Sequence, residues 1–200
     1  MIAYKGFTPE LTSRLGNGKK ETCTFKPGCT MTEKESKTVR SGYHCCENPA
    51  ECLAYYAWDG KNKFWMVKAE GDIDEDEHER IACTKITLLE ELTPAKFAAH
   101  CMWYIAEHPQ RAGWQQNHHG VQIAEDSAEA TAEGHIAIAR GEHPRVKGVA
   151  GSVLGLLVEK DGKIVMAKGI GLMQHHTKYA GKWITINEKK EVVVVEKEND

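Results

Sequence analysis

The residues of this 200-residue chain best suited to chemistry are two histidine pairs and one basic stretch, all in the second half. His118-His119 follows Trp114, and His175-His176 follows Gln174. Neighbours on a strand face opposite ways, so each pair offers one imidazole to a common site, as a metal ligand or as cationic lining for an anion. The alternative is a turn histidine hydrogen-bonded to water. Arg140, His143, Arg145 and Lys147 form the most basic stretch of the C-terminal half, and guanidinium forks suit phosphate groups. Trp114, His118, His119, Arg140, Arg145, Lys147, His175 and His176 are therefore the candidate ligand-binding residues, and the expected ligand is small and anionic. A solvated basic corner is the competing reading. Gly148, Gly151 and Gly155 do not make a phosphate loop, because no Lys-Ser/Thr follows them.

All seven cysteines lie between positions 23 and 101, an odd number with no secretory signal to support pairing, so they are expected as thiols. A zinc site would combine Cys23 and Cys29 with two of His44, Cys45, Cys46 and Cys52, against the usual knuckle spacing. Buried thiols packing as small hydrophobes are the alternative. The acidic run from Asp72 to Glu79 has the alternating aspartates of a calcium loop. Glu77 stands in the place of its glycine and Cys83 in that of its bidentate glutamate, so a solvated loop is expected. No metal and no cofactor are assigned.

The elements that must hold these groups follow from pattern. Ile2 to Gly6 reads as a strand. Asn48-Pro49 starts a helix to about Trp58, because the Asn side chain takes orphan amides and Pro has none to lose. Lys63 to Glu70 and Arg80 to Leu89 read as strands. Thr93-Pro94 opens a helix in which Phe97, Cys101, Tyr104 and Ile105 recur at helical spacing, ending near His108-Pro109. Beyond Trp114, Val121/Ile123 and Ile136/Ile138 lie fifteen residues apart with Ala-rich sequence between. That pattern predicts short solenoid strands, an Ala-rich helix being the alternative. Lys160-Asp161-Gly162 joins the strands of a hairpin, and Trp183 to Val195 makes a second.

A net charge of -3 argues against a dedicated grip on duplex nucleic acid. No apolar run approaches the roughly 20 residues of a membrane span, and Met1 to Phe7 lacks the apolar core of a signal peptide. The expected location is the cytoplasm, with no membrane partner.

Three resemblances add to this reading. Tyr4-Lys5-Gly6-Phe7, Ser41 to Pro49 and the C-terminal hairpin region resemble an uncharacterised family of phage and prophage proteins with a YKGF start and a GFHxCxNP element; here Tyr43 replaces Phe and Cys46 is additional. That implies a bacterial host cell. Ser127 to Gly141 resembles the AxAxGxxSIAIG head repeats of trimeric autotransporter adhesins, with Ala132 and Ala139 in place of corner glycines and His135 in place of Ser. It implies a left-handed parallel β-roll whose uncovered apolar face is shared in a homotrimer. Tyr4-Lys5-Gly6 and Gly42-Tyr43-His44, feeding a helix with Tyr55 and Tyr56, loosely resemble two motifs of ADP-ribosyltransferase folds. This implies an alternative nucleotide pocket at Tyr4, Lys5, His44 and Tyr55, with Lys5 where Arg or His is usual and Glu90 or Glu91 as catalytic acid.

Together these predict an α+β chain: an N-terminal mixed α+β domain over 1–110, a short β-roll or solenoid-like segment over 111–151, and C-terminal antiparallel strands over 152–200. The expected function is a phage-encoded homo-oligomeric protein that sequesters a small anionic, nucleotide-type ligand, in counter-defence against host immune signalling. An ADP-ribosyltransferase-like enzyme and a purely structural trimerised module are the alternatives.

Overall fold

The computed structural model describes residues 1–14, 22–76, 80–172 and 178–195. The chain divides between Thr93 and Pro94 into two compact units. Among the described residues 52% lie in strands and 11% in helices, so the protein is mostly β and not α+β.

The first unit holds β1 (Ile2–Phe7), β2 (Thr12–Arg14), β3 (Thr22–Thr24), β4 (Thr30–Thr32), β5 (Tyr43–Cys46), a 3-10 helix (Pro49–Ala54), β6 (Lys63–Glu75) and β7 (Arg80–Glu91). β1 pairs with β5 and β6, and β7 pairs with β5 and β6, which closes a small barrel; β4 is added to β7. Closure removes exposed edges, and a barrel this narrow is filled by side chains. Ala3, Phe7, Tyr43, Cys45, Val67, Ile81, Cys83, Ile86 and Leu88 pack inside with Phe25, whose ring meets Phe7 and Tyr43 edge-on at 5.0 and 5.6 Å. The acidic run is part of this construction: β6 continues to Glu75, and its carboxylates pin the 36–38 loop. Ser36 Oγ donates to Asp72 Oδ2 at 3.0 Å, and Thr38 N–H and Oγ1 donate to Asp74 Oδ2 at 2.7 and 2.8 Å.

Asn48 caps the 3-10 helix as its sequence predicts, Oδ1 accepting from Ala50 N–H at 3.0 Å. The segment is shorter and tighter than the expected helix. Glu51 N–H donates to Asn48 carbonyl and Tyr55 N–H to Cys52 carbonyl, the i→i−3 spacing of a 3-10 turn.

The second unit begins with α1 (Pro94–Glu107), followed by β8 (Gln116–His118), β9 (Val121–Ala130), β10 (Ile136–Gly148), β11 (Val153–Lys160), β12 (Lys163–Gly171), β13 (Ile184–Ile186) and β14 (Val192–Val194). The helix packs on β10, β11 and β12, and the second compact unit begins with it. The seven strands form one mixed sheet rather than a roll segment followed by separate hairpins. The fifteen-residue recurrence is the register of a parallel pair: Ile136 lies opposite Val121 and Ile138 opposite Ile123. β11 extends the parallel set, Ile138 facing Gly155, and β12 and β13 pair antiparallel with β11 and β10.

A bend in these strands is geometrically required. A straight ten-residue strand spans about 33 Å, while the link 131–135 reaches about 20 Å at most. The bend falls where the ladder is interrupted, between Arg140 and Arg145, opposite Asp126, which adopts a left-handed φ of 58°. Ala128, Ala130, Ala137, Ala139, Leu154 and Leu156 pack inside the fold of the sheet. On the other face α1 packs on β10, β11 and β12, Met102 lying against Gly155, with room for no side chain there. No helix among the described residues is long and apolar enough to cross a membrane.

Candidate functional site

The bend opens a cleft of about 640 Å³ in the second unit. β9 contributes Glu125 and Asp126, the excursion in β10 contributes Gly141, Glu142, His143 and Arg145, and the β11–β12 turn contributes Glu159 to Gly162. The offset that pairs Ile136 with Val121 also sets Gly141 beside Asp126, whose carboxylate fills the space a Cβ at 141 would need.

Behind one wall lies Arg140, 4% exposed. Its Nε donates to Glu159 Oε2 at 2.7 Å, its Nη2 donates to Pro109 carbonyl at 2.7 Å, and its guanidinium lies 4.8 Å from the Trp114 ring centroid. Nη1 is buried with no hydrogen-bond partner among the described residues. With Glu159 matched by Arg140, four carboxylates (Glu125, Asp126, Glu142, Asp161) face Arg145 and Lys160 across the cleft, a formal charge of −2 with His143 neutral. None of these six charges has an ion-pair partner among the described residues.

The predicted basic set is only partly assembled here. Arg140 and Trp114 come together, and Arg145 lines the cleft. Lys147 points elsewhere, its Nζ 2.8 Å from Glu129 Oε1 and 5.8 Å from the Trp183 ring centroid. His118 Nε2 contacts Gln116 Oε1 at 2.9 Å. The His119 ring stands edge-on to His135 at 5.4 Å, and burial together with His119 holds His135 below the usual imidazole value. His175 and His176 lie outside the described residues. The six carboxylate and lysine positions of the cleft were not singled out from sequence. Their signal is the acidic corner Glu125-Asp126 recurring as Gly141-Glu142 at nearly the strand offset, beside the Lys160-Asp161-Gly162 turn.

In the first unit the alternative pocket does not converge. Lys5 shares the face of β1 that carries Ala3 and Phe7, so it enters the barrel, 7% exposed, while Tyr4 takes the opposite face. Lys5 Nζ donates to His44 carbonyl at 2.6 Å and lies 5.4 and 5.7 Å from the Phe7 and Phe25 ring centroids. Burial pushes its ammonium below the usual lysine value. The His44 ring is lowered by burial and by Lys5, and its Nε2 accepts from Val39 N–H at 3.0 Å. Tyr55 is 57% exposed and bonds to Arg80. Cys45 and Cys83 both lie in the barrel core, and Cys83 Sγ donates to Tyr43 carbonyl at 3.5 Å. Among the described residues no group of three or more His, Cys, Asp or Glu side chains is disposed to hold a metal ion.

No curated protein and no solved structure matches the chain. Residues 1–100 match the family described as "Domain of unknown function (DUF7666)". That stretch is half of the chain and contains the whole barrel unit, so the chain belongs to the DUF7666 family.

Proposed function

We propose that the protein binds a small polar ligand in the cleft of its second unit, and that the ligand carries one or more ammonium or guanidinium groups, as a polyamine does. The observation that carries this is the lining: four carboxylates and two cations, none of them ion-paired among the described residues, around a space of about 640 Å³. Unpaired charges that converge on one concavity are poised for a charged ligand, and their excess selects its sign. The anionic, nucleotide-type ligand suggested by the basic residues has less support, because Arg140 is matched by Glu159 and Lys147 by Glu129. The homotrimer implied by an uncovered apolar sheet face has less support too, because α1 packs on β10, β11 and β12.

Calorimetric titration with spermidine, a cyclic dinucleotide and ATP tests the proposal. Spermidine is expected to bind, more weakly at high salt, and Asp126→Asn with Glu142→Gln is expected to weaken it at least tenfold, two charge-assisted contacts being worth more than 1.4 kcal/mol. Binding of the cyclic dinucleotide or ATP instead would reverse the charge assignment. Spermidine affinity unmoved by the double variant, or no binding of any probe, would remove the cleft as the site.

A further inference from the structure

We infer that His119 and His135 form a two-imidazole site for a tetrahedral divalent ion of the zinc class at the start of the parallel ladder of the second unit, with water completing the coordination. The site is separate from the cleft, which opens at the bend farther along the same strands, and does not depend on the ligand read there.

The spacing of the rings carries the inference. They stand edge-on, with centroids 5.4 Å apart and planes at 78°. Two imidazoles bound at about 2.1 Å to a tetrahedral ion, with about 1.1 Å from each nitrogen to its ring centre, have centroids about 5.2 Å apart. Cis ligands of a square-planar or octahedral ion would come to about 4.5 Å. The spacing found here fits the tetrahedral case, so binding needs rotation of the imidazoles about their side-chain bonds and no shift of the strands.

The backbone under both rings is fixed. His119 sits in the β8–β9 turn and His135 directly before β10. Ile136 N–H donates to Gly120 carbonyl at 2.8 Å and Val153 N–H donates to His135 carbonyl at 2.9 Å, so the first rungs of the ladder clamp both segments. Ligands held this way lose little freedom when an ion binds.

Both rings are also within reach of an ion from solvent, His119 being exposed and His135 partly so. Thr131 Oγ1 lies 3.4 Å from His135 Nδ1, the kind of outer contact that orients a ligand ring, and this leaves Nε2 for the ion. His118 is otherwise engaged, its Nε2 lying 2.9 Å from Gln116 Oε1. Glu133, two residues before His135, lies against Gly151 and is not counted as a ligand. Imidazole binds a metal only when neutral, and burial, with His119 as the second cause, holds His135 below its usual value, so protons compete weakly at neutral pH. Nitrogen ligands select zinc over magnesium and calcium, which prefer oxygen.

The test is titration of the full chain with zinc chloride, followed by NMR of the histidine ring protons. The His119 and His135 rings are expected to shift together and to saturate with one ion, and magnesium chloride is expected to move neither. His119→Ala and His135→Ala should each lower zinc affinity at the remaining ring at least about tenfold, while His118→Ala should leave it within about twofold. A shift at only one of the two rings, zinc taken up elsewhere with both rings unmoved, or a loss in His118→Ala equal to that in His135→Ala would each overturn the proposal. Because His119 is exposed, His119→Ala keeps the test decisive even if His135→Ala does not fold.

Discussion

Arg140 Nε donates to Glu159 Oε2 at 2.7 Å, joining a 5% exposed guanidinium to a 27% exposed carboxylate at the wall of the cleft. The two partners are unequal, and their variants should be too. Glu159→Ala strands a buried cation and should cost about 2–4 kcal/mol. Arg140→Met removes the buried charge together with Nη1, which has no partner among the described residues, and leaves a carboxylate that water can reach, so it should cost clearly less. Urea unfolding of both variants and the double mutant checks this; equal losses would contradict it.

Lys5 provides a pH-dependent prediction. Its ammonium is lowered in the folded state by burial, so between that lowered value and the ordinary lysine value near 10.4 the unfolded chain binds more protons. Folding stability contributed by this site therefore rises with pH through that window. Lys5→Met, which never charges, should be more stable than the parent at pH 7. The gap should shrink as pH approaches 10. Chemical denaturation at pH 7 and pH 9.5 would show it, and a variant less stable at pH 7 would disprove it.

Gly155 and Gly169 separate packing from backbone effects within one sheet. A Cβ at Gly155 would lie 2.7 Å from Met102 Sδ and 2.9 Å from Ile138 Cγ1, whereas one at Gly169 meets nothing within 4 Å. Gly155→Ala should cost about 1–3 kcal/mol through displacement of α1. Gly169→Ala should stay within about 0.5 kcal/mol of the parent. Thermal unfolding of the pair is sufficient.

Asp74 accepts hydrogen bonds from Thr38 N–H and Oγ1, which hold its carboxyl below the ordinary aspartate value, the backbone donor first. A carboxylate lowered in the folded state contributes stability above its unfolded pKa, and that contribution is lost as pH falls through the folded value. Asp74→Asn should therefore flatten part of the acid limb of the stability profile. A carboxyl-carbon NMR titration should place the Asp74 midpoint below ordinary aspartate; a midpoint at or above it would refute the assignment.

Local signals in this sequence are legible where a residue acts on its immediate neighbours. Asn48-Pro49 caps a helix start, Thr93-Pro94 opens α1, and Asp161-Gly162 turns a hairpin, each through backbone chemistry confined to a few residues. The recurrence of Val121 and Ile123 at Ile136 and Ile138 likewise states which strands lie side by side. What it does not state is what packs on them. The helix that packs on β10 and β11 lies earlier in the chain, and its apolar stripe is equally compatible with packing on the first unit.

The site divides the same way. Composition supplies the charges, and the fifteen-residue recurrence carries the register that sets Gly141 beside Asp126. Which charges stay available depends on pairing across elements: Glu159 on β11 reaches Arg140 on β10, and Glu129 reaches Lys147, leaving the acidic corner unmatched among the described residues. Barrel closure made the corresponding choice in the first unit. It sends alternate residues of β1 to opposite faces, so that Lys5 enters the barrel beside Phe7 and Phe25 while Tyr4, its neighbour in sequence, faces the other way.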